Sequence, residues 1–167
     1  MLPNEVKNLG YEKMTLVQEA TLPAILQGKD VLAKAKTGTR KTLAFLFLWE
    51  VEVLLQRKKN LRQNRCEIIV ATPTRLSDHI DNTRGFEGRL RDVNVLVLHE
   101  ADCLLAMRIR KDVEKIIAAV PEQQQTLIFS ATVPEEVHQF CHNALRKDHE
   151  FIDIVQESSE ETRSQAQ

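Results

Sequence analysis

Three short stretches of the chain carry residue types suited to work on phosphates. The first, Ala35-Lys36-Thr37-Gly38-Thr39-Arg40-Lys41-Thr42, has the layout of a phosphate-binding loop. In such a loop successive backbone N–H groups and a helix N-terminus cradle phosphate oxygens, here with Thr37, Gly38 and Thr39 forming the turn. The lysine, Lys41, meets the β- and γ-phosphates and the following hydroxyl, Thr42, reaches Mg²⁺. The glycine expected just before the lysine is Arg40, so an ordinary strand-to-helix turn with an exposed lysine is the other reading. The second stretch, His99-Glu100-Ala101-Asp102, offers two carboxylates and an imidazole. The third, Ser130-Ala131-Thr132, offers two hydroxyls.

These stretches need elements to position them. Thr15-Leu16-Val17-Gln18 is a capping box, and the apolar residues after it run to a stop at Gly28, which predicts a short helix. Asp30 to Ala35 reads as a brief strand, followed after the turn by a long helix from about Lys41 to Arg57. Three more runs, Ile68 to Ala71, Val93 to Leu98 and Thr126 to Phe129, are short, continuous and rich in β-branched residues. Such runs suit strands buried on both faces of a parallel sheet. Helices are expected at Leu76 to Asn82, Cys103 to Val120 and, capped near Pro134, Glu135 to Leu145, with an edge strand from Phe151 to Val155. This alternation predicts an α/β three-layer domain over 1–155 with a mainly parallel sheet, and a disordered polar tail over 156–167. Ligands of open parallel sheets bind beyond the carboxyl ends of the strands, and all three stretches fall at such ends.

Composition narrows the field further. The 167 residues are 43% hydrophobic, enough for the core of one domain, and five Gly with five Pro exclude collagen-like or Pro-rich disordered chains. A net charge of -1 supplies no global positive field for nucleic acid, so any such contact is local. Cys66, Cys103 and Cys141 are widely spaced with no CxxC pair, against both a disulfide framework and a thiolate zinc site. The longest apolar stretch, Leu43 to Leu55, is broken by Glu50 and Glu52 and is too short to span a bilayer. With no signal-like start, the chain reads as soluble and intracellular, without a membrane partner. The basic cluster Arg57-Lys58-Lys59 with Arg62 and Arg65 reads as a solvated helix end. His138, Cys141 and His142 lack the glutamate of a zinc helix and are not read as a metal site.

Gly10-Tyr11-x-x-Met14-Thr15-x-x-Gln18, Ala35 to Thr42, Ala71-Thr72-Pro73-Thr74-Arg75-Leu76, Val97 to Asp102 and Ser130-Ala131-Thr132 together resemble the first RecA-like domain of DEAD-box ATP-dependent RNA helicases. The motifs stand in the family's order, and the similarity looks closest to plant members. The resemblance implies a RecA-like P-loop NTPase domain that uses ATP and Mg²⁺. Gln18 would contact the adenine edge, unless it serves only as the capping partner of Thr15. Thr37, Gly38, Thr39, Lys41 and Thr42 would hold the phosphates, with Thr42 and Glu100 serving the metal. Lys41, Glu100 and Asp102 would be the catalytic set, with Glu100 polarising the attacking water. Asp102 would link to Ser130 and Thr132, which couple hydrolysis to RNA strand separation. Thr72 and Arg75 would contact RNA phosphates without reading sequence, unless they merely form an N-capping loop with a solvated arginine.

The chain departs from the family pattern in three ways. Arg40 replaces a loop glycine; His99 replaces the first aspartate of the acidic box, where an imidazole is a poor match for hard Mg²⁺. The Thr72-Pro73-Thr74-Arg75 segment admits two family positions, and its distance to Glu100 favours the later one, so an intervening segment is absent. These departures imply weakened nucleotide binding and an isolated chain with little turnover, because a second RecA-like domain normally completes the ATP site. They also keep open a different class of function, a non-catalytic pseudo-helicase binding RNA or a helicase partner.

Overall fold

The computed structural model describes residues 14–36, 68–106 and 109–155. The turn carrying Lys41, the predicted helix after it, Cys66 and the 156–167 tail lie outside the described residues. Four strands form one parallel sheet: β1 (Val31–Lys34), β2 (Val95–His99), β3 (Gln125–Ser130) and β4 (Glu150–Asp153), in the order β2-β3-β1-β4. Around it lie α1 (Leu16–Leu26), α2 (Pro73–Asn82), α3 (Phe86–Leu90), α4 (Ala101–Ala106), α5 (Arg110–Ala119) and α6 (Glu135–Ala144).

Helix α1 starts where the capping box predicts, with the Thr15 N–H donating to Gln18 Oε1 at 2.8 Å. It stops at a Schellman turn. Gly28 takes φ +72°, its N–H bonding Ile25 O at 2.9 Å while the Lys29 N–H bonds Ala24 O at 3.1 Å. The chain then enters β1 through Asp30.

The continuous apolar strands are explained by a core on each face of the sheet. Val31, Ala33, Ala35, Leu127 and Phe129 pack against Val17 and Ile25 of α1. Leu32, Leu98 and Ile128 point the other way and meet Val113 of α5 with Val137 and Phe140 of α6. The central strands β1 and β3 are almost wholly buried, whereas β2 and β4 at the edges are only partly so.

Two expectations are corrected. Ile68 to Ala71 is not a strand: no ladder reaches it, Ile69 is 44% and Val70 89% exposed, and the chain passes directly into α2 at Pro73. The stretch Cys103 to Val120 falls in two helices, α4 ending at Ala106 and α5 starting at Arg110. A short helix, α3, follows Gly85, whose φ of +78° turns the chain out of α2. The carboxyl-terminal strand and the Pro134 cap stand as predicted. No helix among the described residues is long and apolar enough to cross a membrane.

Candidate functional site

The carboxyl ends of β1, β2 and β3 lie side by side, because Ala33 pairs with Phe129, His99 with Phe129, and Lys34 with Ser130. The Ala35 N–H extends this ladder to Ser130 O at 3.0 Å. The chain therefore leaves β1 through exposed Lys36, toward the lysine-bearing turn, directly beside Ser130.

Asp102, in the first turn of α4, is the hub of this rim. Its N–H donates to the hydroxyl of fully buried Ser130 at 3.0 Å. Its Oδ2 accepts both the Thr132 hydroxyl at 2.7 Å and the Thr132 N–H at 3.0 Å. Oδ1 accepts the Cys103 N–H at 3.0 Å. One carboxylate thus fastens the start of α4 to the loop between β3 and α6. Partial burial alone would raise its pKa, but the donors from Thr132, Ser130 and Cys103 together win and hold the carboxyl below the usual range.

A lowered folded-state pKa means that this stabilisation is present above the unfolded value of about 3.9 and is lost as pH falls through the folded value. Asp102→Asn is expected to lose about 1 kcal/mol at neutral pH, kept small by partial solvent access. Urea titrations at pH 7 and pH 3 check this: the difference between variant and parent should shrink at the lower pH.

Glu100 turns β2 into α4 in a left-handed conformation, φ +56°, the only positive φ of a non-glycine among the described residues. Its carbonyl accepts the Leu104 N–H at 3.0 Å, so this backbone also starts the helix. A side chain there costs about 1 kcal/mol, and strain of this kind accompanies function. Glu100→Gly is therefore expected to be at least as stable as the parent, by up to about 1 kcal/mol, in a thermal melt. His99 Nδ1 stands 4.0 Å from Glu100 Oε1, both side chains being partly exposed.

The other candidates are placed less centrally. Gln18 is half-buried in the capping box. Thr72 caps α2, with its carbonyl accepting the Leu76 N–H at 3.0 Å, and Arg75 is exposed in the first turn. Helix α2 is held against α5 by Thr74 Oγ1 to Asp112 at 3.0 Å and by Lys115 to Asp81. Among the described residues no hydrogen bond or ion pair joins Thr72 or Arg75 to the acidic box. Thr37, Gly38, Thr39, Lys41 and Thr42 lie outside the described residues. Sequence reasoning missed the N–H of Cys103 as a third donor to the Asp102 carboxylate; a backbone group carries no residue-type signal.

No group of three or more His, Cys, Asp or Glu side chains able to hold a metal ion exists among the described residues. His138 and His142 are exposed on α6, while Cys141 faces the core, where burial pushes its thiol pKa up to about 11.

A parallel sheet with helices on both faces, whose strand ends gather an acidic helix start and a Ser/Thr loop, is the architecture of a RecA-like domain. A family model for the DEAD/DEAH box helicase matches residues 15–53 and 50–140, and the chain belongs to this family. The DEAD-box ATP-dependent RNA helicase 26 of Arabidopsis thaliana is 48% identical over 211 aligned positions, covering 94% of this chain and 25% of the relative. Its namesake in Oryza sativa subsp. japonica is 46% identical, covering 96% of this chain and 39% of that protein. A DEAD box protein from Methanococcus jannaschii superposes with a TM-score of 0.73 at 27% identity, over 91% of this chain and 53% of that one. The chain therefore spans well under half the length of these two plant relatives. An alignment of 211 positions on 167 residues leaves several tens of the Arabidopsis positions without a counterpart.

Proposed function

We propose that the chain forms the ATP-binding domain of a DEAD-box ATP-dependent RNA helicase, in which Mg-ATP hydrolysis is coupled to RNA duplex opening. The observation that carries this reading is the Asp102 hub. A carboxylate that grips both N–H and O–H of Thr132, with its own N–H on Ser130, mechanically joins the acidic box to the loop after β3. A shift of Glu100 or Asp102 on phosphate release would therefore be transmitted to that loop. Glu100, at the left-handed turn between β2 and α4, would polarise the attacking water. Lys41 with Thr37, Gly38 and Thr39 would bind the phosphates, Thr42 would reach the magnesium ion, and Gln18 would present its amide to adenine. Magnesium, when bound, supplies charge neutralisation at the transferred phosphoryl. Thr72 and Arg75, on a helix start, would meet RNA phosphates, and a second RecA-like domain would complete the site. The names of the plant relatives supply ATP and RNA as the ligands to test.

The test is a titration of the purified chain with ATP, with and without Mg²⁺. A Mg²⁺-dependent preference for ATP, weakened at least about tenfold in Lys41→Ala, supports the reading. Indifference to nucleotide sinks it.

A further inference from the structure

Helix α2, with Thr72 at its cap and Arg75 in its first turn, is seated on the domain by polar side chains. It contributes no residue to the core on either face of the sheet. The α2 side chain that is buried is Ser77, at 5% exposure, while Leu76 and Ile80 are only half-buried.

What holds the helix is a seam with α5. Thr74, Ser77 and Asp81 stand at i, i+3 and i+7 on one face of α2, and Asp112 and Lys115 at i and i+3 on one face of α5. Thr74 Oγ1 donates to Asp112 Oδ2 at 3.0 Å, and Lys115 Nζ donates to Asp81 Oδ2 and, at 3.5 Å, to Ser77 Oγ. The Thr74 and Asp81 links are exposed, and exposed pairs add little to folding stability. Their consequence is geometric. One link in the first turn and another in the last turn fix both the axial register of α2 and its rotation about its own axis. That rotation sets where Arg75, next to Thr74, and the N–H groups of the helix start are presented.

We propose that Asp81, Asp112 and Lys115 are positioning residues for RNA binding: through α2 they hold Thr72 and Arg75 in the pose that meets backbone phosphates. The inference rests on the RNA role given above to Thr72 and Arg75. Two of the three are carboxylates, whose charge alone would oppose RNA, so the sign of their effect separates position from charge.

The experiment is a fluorescence-anisotropy titration of the full chain with a labelled single-stranded uridine decamer at fixed salt, beside a thermal melt of each variant. Asp81→Ala and Asp112→Ala are each expected to weaken binding at least about threefold, although each removes a negative charge. Lys115 is left in place, since removing a cation would weaken RNA binding by charge alone. Asp81→Glu, which keeps the carboxylate, should bind like the parent. In an Arg75→Ala background Asp81→Ala should weaken binding less than it does in the parent, because the helix then has less to present. The variants should keep a cooperative melt, the Asp81–Lys115 pair being exposed. Affinity kept or raised in both alanine variants, while Arg75→Ala lowers it, overturns the positioning role and leaves the RNA reading standing. A fully additive loss in the double variant also overturns it, since Asp81 would then act without Arg75. No loss in Arg75→Ala overturns the RNA role of this helix start and the proposal with it.

Discussion

Replacing Asp30 with alanine is expected to lower the free energy of unfolding by about 3–5 kcal/mol. Asp30 is 1% exposed and accepts four hydrogen bonds, from the Thr126 N–H at 2.9 Å and from the Arg146 N–H at 2.9 Å, Nε at 3.1 Å and Nη2 at 2.7 Å. Its own carbonyl accepts the Glu150 N–H at 2.9 Å. One residue thus ties the end of α1 to β3, to the loop after α6 and to β4. The hydrogen bond to Asp30 comes first in raising the pKa of the Arg146 guanidinium, against burial that would lower it; with Asp30 removed the guanidinium still stays charged, because arginine is not deprotonated near neutral pH. The buried Thr126 N–H would then have no acceptor. A domain of ordinary stability has only about 5–15 kcal/mol to lose, so the variant sits near the edge of folding. A urea titration checks the loss. The paired change Asp30→Leu with Arg146→Met should recover most of it, because an apolar pair of similar bulk leaves no charge stranded. If the double variant is as weak as the single one, the hydrogen-bonded backbone, not the charge, is what Asp30 holds.

Phe129→Ala is the second large effect, also about 3–5 kcal/mol, from lost transfer energy plus the cavity left behind. Phe129 has no exposed surface and sits mid-sheet, in one cluster with Val17, Ile25, Val31 and Ile154. Its neighbours come from α1, two strands and the chain after β4, so no single one can move to fill the gap. The urea midpoint should fall with the slope unchanged, the signature of lost stability and not of a looser unfolded state. Phe129→Leu should lose distinctly less. Because the next residue is Ser130, whose hydroxyl holds the Asp102 N–H, the alanine variant should also broaden the amide signals of Asp102 and Thr132.

Much of this was legible in the sequence where local chemistry decides. Thr15, Gln18 and Gly28 mark the two ends of α1 by the hydrogen bonds their types allow. The β-branched runs of β1, β2 and β3 are apolar on both faces because helices cover both faces. The Asp102, Ser130 and Thr132 cluster follows from motif order, since strand ends of a parallel sheet converge. What failed depends on distant partners. Ile68 to Ala71 has the composition of a strand but no neighbouring edge, so propensity alone left it exposed. Glu100 gives no hint of its left-handed backbone, because a glutamate is not the residue such a position selects. Asp30 and Arg146 are 116 positions apart and belong to no motif, so their bond is invisible until the sheet is assembled.

The strand order also governs how the chain can be made. β1 is first to leave the ribosome, yet it lies between β3 and β4, the last two, with Val31 paired to Leu127 and to Glu150. Until the final third of the polypeptide has emerged, Val31, Leu32 and Ala33 have no hydrogen-bonding neighbours from this sheet, and the greasy side of α1 has only a lone strand to cover. Closing such long loops is slow, and the nascent chain meanwhile offers unpaired strand and apolar surface. The nascent domain should therefore lean on holdase chaperones until β3 and β4 have emerged.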